Sequence, residues 1–216
     1  MTDAVPRAVA DVPSHDAVAD VPSHQVRAVF TEETITVYQA YATRIAAPAL
    51  AAGTFVDPFK RTRMTWIKPS FLWMMYRCGW ATKPDQERVL ALDITRAGFE
   101  WALSRACLSH HDRTRFASES EWRTALKSSP VRVQWDPERD LGLNPLPHRA
   151  IQVGLSGEAV EHYVDDWITA VRDVTPLAHE VHAAVVAGDR AAAEALLPVE
   201  RPYPLPADLV ERVGRS

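Results

Sequence analysis

The chain has 216 residues, 47% of them hydrophobic, and a formal net charge of -4. That supplies one core of ordinary size, and the mild acidity excludes a general nucleic-acid coat protein, whose whole surface would be basic. Two cysteines (Cys78 and Cys107) without metal-ligand spacing, no apolar run of the ~20 residues a membrane helix needs, and no apolar leader predict a reducing, cytoplasmic location with no membrane partner.

Residues 1–25 contain a direct repeat of nine residues, Asp11-Val-Pro-Ser-His15 onward and Asp20-Val-Pro-Ser-His24 onward. Rich in Ala, Val, Pro and Asp and free of aromatics, this stretch predicts a disordered tail, with His15 and His24 as repeated passengers rather than metal ligands. The folded domain is expected over residues 26–216. Val26–Phe30 and Ile35–Tyr41 are β-prone, and Arg44–Ala52 is an alanine-rich helix that ends at Gly53 despite Pro48. Glu87–Thr95 reads as a strand and Ala97–Leu108 as the helix after it. His110–Ser120 reads as a polar loop, and Trp122–Leu126 as a short helix. Val131–Trp135 alternates as a strand up to a turn at Asp136-Pro137, and Arg149–Leu155 is another strand. Ser156 offers an N-cap to a helix over Glu158–Val171. Helices follow over Thr175–Val186 and Arg190–Leu196, and the proline-rich end is expected to pack extended over the domain. Strands interrupted by short helices, with helices gathered at the C-terminal end, give an α+β fold: a single domain with flanking helices around a mostly antiparallel sheet.

The stretch with most chemistry in it is Lys60–Lys83. Three of the seven tryptophans, Trp66, Trp73 and Trp80, are threaded there with Lys60, Arg61, Arg63, Lys68, Arg77 and Lys83, and no acid intervenes. In an acidic chain this is a local reversal of sign. Ser70–Arg77 is predicted as a helix with Pro69 at its start and Gly79 at its end, which places Ser70, Trp73 and Arg77 on one face and lets Arg77 stack on Trp73. Arg61, Arg63 and Lys68 precede that helix, where cations oppose the helix dipole unless an anion sits between them. Phosphate is the natural guest, with Trp66 or Trp73 as a stacking face for a base. The bland alternative pairs these arginines with Asp93, Glu100 or Asp140. An RNA-binding reading instead continues the basic surface across Arg113, Arg115, Arg123 and Lys127.

Other groups are less informative. His110-His111-Asp112 and the pair His179 and His182 lack further ligands at metal spacing, so no metal is expected. Gly154-Leu-Ser-Gly157 could cradle an anion at a helix start.

Thr34–Tyr41, Arg63–Arg77, Val131–Arg139 and Arg149–Gly157 resemble the blocks of the domain-of-unknown-function family 4291, a resemblance that covers Val26 to Pro206. More distantly, Val37–Tyr41, the helix after it and Gly53-Thr-Phe55 resemble the opening of ADP-ribosyltransferase-like domains. That resemblance implies a split antiparallel sheet around a cleft for NAD. Gln39 or Tyr41 would grip the nicotinamide ribose, Arg63, Lys68 and Arg77 would hold the pyrophosphate, and Glu158 would be the polarising carboxylate. The expected protein is thus a nucleotide-binding, NAD-dependent transferase or NAD glycohydrolase. Its alternatives are an RNA-binding or RNA-modifying module and a non-catalytic partner-binding domain.

Overall fold

The computed structural model describes residues 21–214. The first half runs β1 (Arg27–Ala28), β2 (Thr34–Tyr41), α1 (Thr43–Ala52), β3 (Thr65–Ile67), α2 (Phe71–Cys78), β4 (Arg88–Thr95), α3 (Arg96–Ser104) and β5 (Ala106–Leu108). It continues through α4 (Glu119–Ser128), β6 (Val131–Arg139), β7 (Pro145–Leu155), α5 (Glu158–His162), a π-helical turn (Tyr163–Trp167) and β8 (Ile168–Asp173). The C-terminal part is α6 (Thr175–Val186), α7 (Arg190–Leu196), β9 (Arg201–Pro202) and α8 (Ala207–Val213).

Two sheets organise this α+β domain. One is antiparallel in the order β2-β4-β8; the other runs β3-β7-β6-β5 and is antiparallel except for the β5–β6 pair. They meet where the Tyr38 amide donates to the Lys68 carbonyl at 2.7 Å. Strand alternation explains the layers. Ile35 and Val37 of β2 point into a core with Leu90, Leu92, Val133, Val153, Phe99 of α3 and Tyr163. Tyr38 points the other way, against Phe71, Met74 and Met75 of α2 and Ala178 and Val181 of α6.

Local signals placed most elements. Gly53 closes α1 and Gly79 closes α2, both in the left-handed region that favours glycine. Elsewhere tertiary pairing overrides the local pattern. The expected helix 97–108 stops at Ser104, and Ala106–Leu108 pair instead with Val131–Val133. The expected helix 158–171 also ends early, since β-branched Ile168, Thr169 and Val171 supply the partner for the free edge of β4. Strand β6 does not turn at Asp136-Pro137 but runs on to Arg139 past a register shift. The short helix at Trp122 is a full Glu119–Ser128, capped by Ser118. The proline-rich end carries β9 and α8, with Tyr203 buried.

The first repeat copy, with His15, lies outside the described residues. The second copy is described from Val21 and lies against the domain. The Ser23 carbonyl accepts from the Arg149 amide at 2.9 Å, and the His24 ring packs edge-on against Trp135 with centroids 5.2 Å apart. No described helix is long and apolar enough to cross a membrane.

Candidate functional site

Helix α2 is anchored at its start. Ser70 caps it, its hydroxyl accepting from the Trp73 amide at 3.1 Å and donating to Glu138 at 2.9 Å, while Glu200 accepts the Phe71 amide at 2.7 Å. Burial pushes both carboxyls up, and the neighbouring Glu138 charge raises the cost of ionising Glu200 further. Ser70 is therefore a buried cap and does not line the cleft described below. From this anchorage α2 turns Met74 and Arg77 towards the space between the two sheets.

That space is a cleft of about 570 Å³ beside the Tyr38–Lys68 junction. Gln39, Tyr41, Arg63, Trp66, Lys68 and Arg77, all nominated from sequence, line it together. Its floor is a satisfied polar network. The Gln39 amide nitrogen donates to Thr65 at 2.6 Å, Tyr41 at 3.0 Å and the Trp66 carbonyl at 3.2 Å, and its oxygen accepts from Tyr163 at 2.8 Å. Tyr41 and Thr65 hydroxyls lie 2.8 Å apart, and burial pushes the Tyr41 phenol up to about 12. Gln39 and Tyr41 thus set the shape of the floor, with their hydrogen-bonding capacity largely used internally.

The walls are cationic. Among the described residues no carboxylate lies within ion-pair distance of Lys60, Arg63, Lys68 or Arg77, all of which line the cleft. Arg77 donates to Gln86 at 3.1 Å, and at the rim Arg44 pairs with Asp85 at 2.9 Å. Lys68 is only 6% exposed, and its ammonium donates to the Trp66 carbonyl at 2.9 Å. Burial, and then the neighbouring Arg77 charge, bring it down to about 7. A lysine held there with no carboxylate partner among the described residues carries its charge at a desolvation cost.

Trp66 supplies a flat apolar surface. It pairs in register with Gly154, and a Cβ on Gly154 would fall 2.9 Å from its ring, so only glycine lets the indole lie on β7. The ring is half-buried, with one side to the cleft.

Four expectations are corrected by geometry. Arg61 does not face the cleft: it is held by Glu161 at 2.5 Å and Asp165 at 2.7 Å, which raise its proton affinity. Trp73 is buried under Lys68, whose ammonium sits 5.9 Å from the ring, so its cation is Lys68 and not Arg77, and it offers no stacking face to a ligand. Glu158 is exposed on the first turn of α5 and is not among the cleft residues. The Gly154–Gly157 stretch is no anion cradle, since Gly154 seats Trp66 and the Ser156 hydroxyl donates to the Pro130 carbonyl at 3.0 Å.

Two of the four bases that an RNA groove would continue across have partners within the protein. Arg115 is spent on the carbonyls of Glu211, Arg212 and Gly214, and Arg123 on Glu119 at 2.6 Å. Asp93 pairs with Arg172 and Glu100 with Arg96, so neither neutralises the cleft. The histidines have packing roles: His111 stacks on Trp122 and His182 on Trp80. Among the described residues no three His, Cys, Asp or Glu side chains gather to hold a metal. Both cysteines are buried and free, and burial raises both thiols. A larger hollow of about 970 Å³ beside α8 mixes Asp208 and Glu211 with Arg105 and Arg212, so it has no comparable excess of charge.

Sequence reasoning missed Gln134 and Gln152, which line the cleft on the same sheet face as Trp66. Their alternation within β6 and β7 marks them as off the core face, but only the β6–β7 register brings them together.

A family model described as Domain of unknown function (DUF4291) matches residues 25–203, a span that contains both sheets and every cleft residue named above. No curated protein matches the chain.

Proposed function

The chain belongs to the DUF4291 family, a domain of unknown function, and from the chemistry of its cleft we propose that it binds a nucleotide or a related phosphorylated ligand. One observation carries the reading: Lys60, Arg63, Lys68 and Arg77 line a hollow of small-ligand size, and among the described residues none of the four has a carboxylate within ion-pair distance. Guanidinium forks suit phosphate oxygens, and the open side of Trp66 suits a base.

NAD is the ligand of first choice. Two largely antiparallel sheets parted around a cleft are the arrangement that the resemblance to ADP-ribosyltransferase-like domains implies. Transfer or cleavage at the ribose–nicotinamide bond would need a carboxylate close to that ribose. Asp85 is the acid among the described residues lining the cleft, and Arg44 holds it, so the function proposed is binding.

The test is calorimetric titration with ADP, NAD and a short single-stranded RNA, on the wild type and on Arg77→Ala. Arg77 is exposed, so its loss leaves the fold intact. ADP and NAD should bind one to one, and the variant should lose roughly tenfold in affinity, the worth of a charged hydrogen bond. Binding of RNA alone, fading steeply with salt, would replace the proposal with a nucleic-acid reading. Absence of any binding would refute both.

A further inference from the structure

On the cleft face of the larger sheet, Gln134 of β6 and Gln152 of β7 are direct cross-strand partners. Both line the cleft, and Asp136, two residues beyond Gln134, does not. The two amides are locked by that one carboxylate. Gln134 Nε2 donates to Asp136 Oδ1 at 2.9 Å, and Gln152 Nε2 donates to Asp136 Oδ2. A carboxylate only accepts, so each amide must turn its nitrogen to Asp136 and its oxygen away. Neither oxygen accepts a bond from another described residue. The sheet therefore presents two fixed acceptors side by side.

Their neighbour on the same face is the base platform. Gly154, on which Trp66 lies, is two residues from Gln152, one step along the pleat. A base stacked on Trp66 would lie one residue pair along the sheet from the two glutamines. A group with two N–H donors satisfies both acceptors, whereas an oxo group sets lone pairs against lone pairs.

We infer that the cleft selects nucleobases bearing an amino group, reading that group with the amide oxygens of Gln134 and Gln152, an inference that rests on the nucleotide reading above. Asp136 is a positioning residue, acting through the two amides. In Asp136→Asn the new amide accepts from one glutamine and donates to the other, which then turns its nitrogen to the ligand and accommodates an oxo group.

The experiment compares ADP with inosine diphosphate, which differ in amino against oxo at C6 and in N1, an acceptor in adenine and an N–H in hypoxanthine, and uses pyrophosphate to report the phosphate subsite alone. Titrations are run on the wild type, Asp136→Asn and Gln152→Met. The wild type is expected to prefer ADP by at least roughly tenfold, since a site built to accept an N–H rejects the analogue lacking it. Both variants should cut that ratio to about threefold or less while still binding pyrophosphate; the ratio is the readout because removing the Asp136 charge shifts all anions together. If one variant fails to fold, the other carries the test. Equal affinity of the wild type for ADP and inosine diphosphate, or a preference that neither variant alters, overturns the inference and leaves the nucleotide reading standing. Failure of ADP, inosine diphosphate and pyrophosphate alike to bind overturns both.

Discussion

Replacing Lys68 by methionine is expected to stabilise the protein while weakening its grip on ligand. The amine falls from its ordinary 10.5 to about 7, through burial first and the Arg77 charge second. Each tenfold loss of proton affinity corresponds to about 1.4 kcal/mol, so carrying the charge costs the fold up to about 5 kcal/mol in acid. The sign follows from the lowered folded value. Stability is fully present above the unfolded pKa of 10.5 and is lost as pH falls to and through about 7. Methionine has similar length and no charge. It forfeits one hydrogen bond to the Trp66 carbonyl, worth about 1 kcal/mol, but that carbonyl keeps its bond from Gln39 at 3.2 Å. Net stabilisation near pH 6 should be about 4 kcal/mol, and about 3 kcal/mol smaller at pH 9.5. Urea unfolding of both proteins at the two pH values measures this. Glu138 and Glu200 titrate in both proteins and cancel in the difference. A variant less stable at pH 6, or a difference that does not change with pH, would refute the account of Lys68 as a buried and uncompensated cation.

Four further outcomes are expected. Because an anion beside Lys68 favours its charged form, ADP binding should take up a proton, and affinity should fall as pH rises above about 7; calorimetry in buffers of different ionisation enthalpy reads the uptake directly. Gly154→Ala puts a methyl 2.9 Å from the Trp66 ring, and displacing the ring should weaken ADP binding by at least roughly tenfold. Gly98→Ala would ordinarily favour helix α3 by about 1 kcal/mol, but its methyl meets the Trp167 ring at 2.4 Å. Overpacking of about 1–3 kcal/mol should therefore lower the melting temperature. Arg61→Ala should leave ADP affinity unchanged and cost about 1 kcal/mol or less, because its partners Glu161 and Asp165 are exposed and lie away from the cleft.

What could be read from sequence was what neighbours in the chain decide. Strand β2, with its branched and aromatic residues, and helices α1 and α2, with glycines at their ends, follow from local preference. Strands β5 and β8 do not. Ala106-Cys-Leu108 and Ile168–Asp173 each follow a helical stretch, and their conformation is settled by partners distant in the chain, Val131–Val133 and Leu90–Ile94. The site divides along the same line. Trp66 and Lys68 alternate on the face that looks into the cleft, and Arg63 and Arg77 flank them, so the basic-aromatic run located this wall. Arg61 belonged to the same run, yet two carboxylates a hundred or more positions away turn it outwards. Gln134, Gln152 and Asp136 carry no signal of their own; the register of β6 against β7 makes them a unit. Glu158 follows a strand of the cleft wall in sequence, but the α5 turn leaves it exposed.

A crystal structure of the protein soaked with ADP tests directly whether the cleft binds a nucleotide. The diphosphate is expected among Lys60, Arg63, Lys68 and Arg77, with adenine on the open side of Trp66. ADP bound elsewhere, or a cleft left empty by saturating ADP, would contradict it.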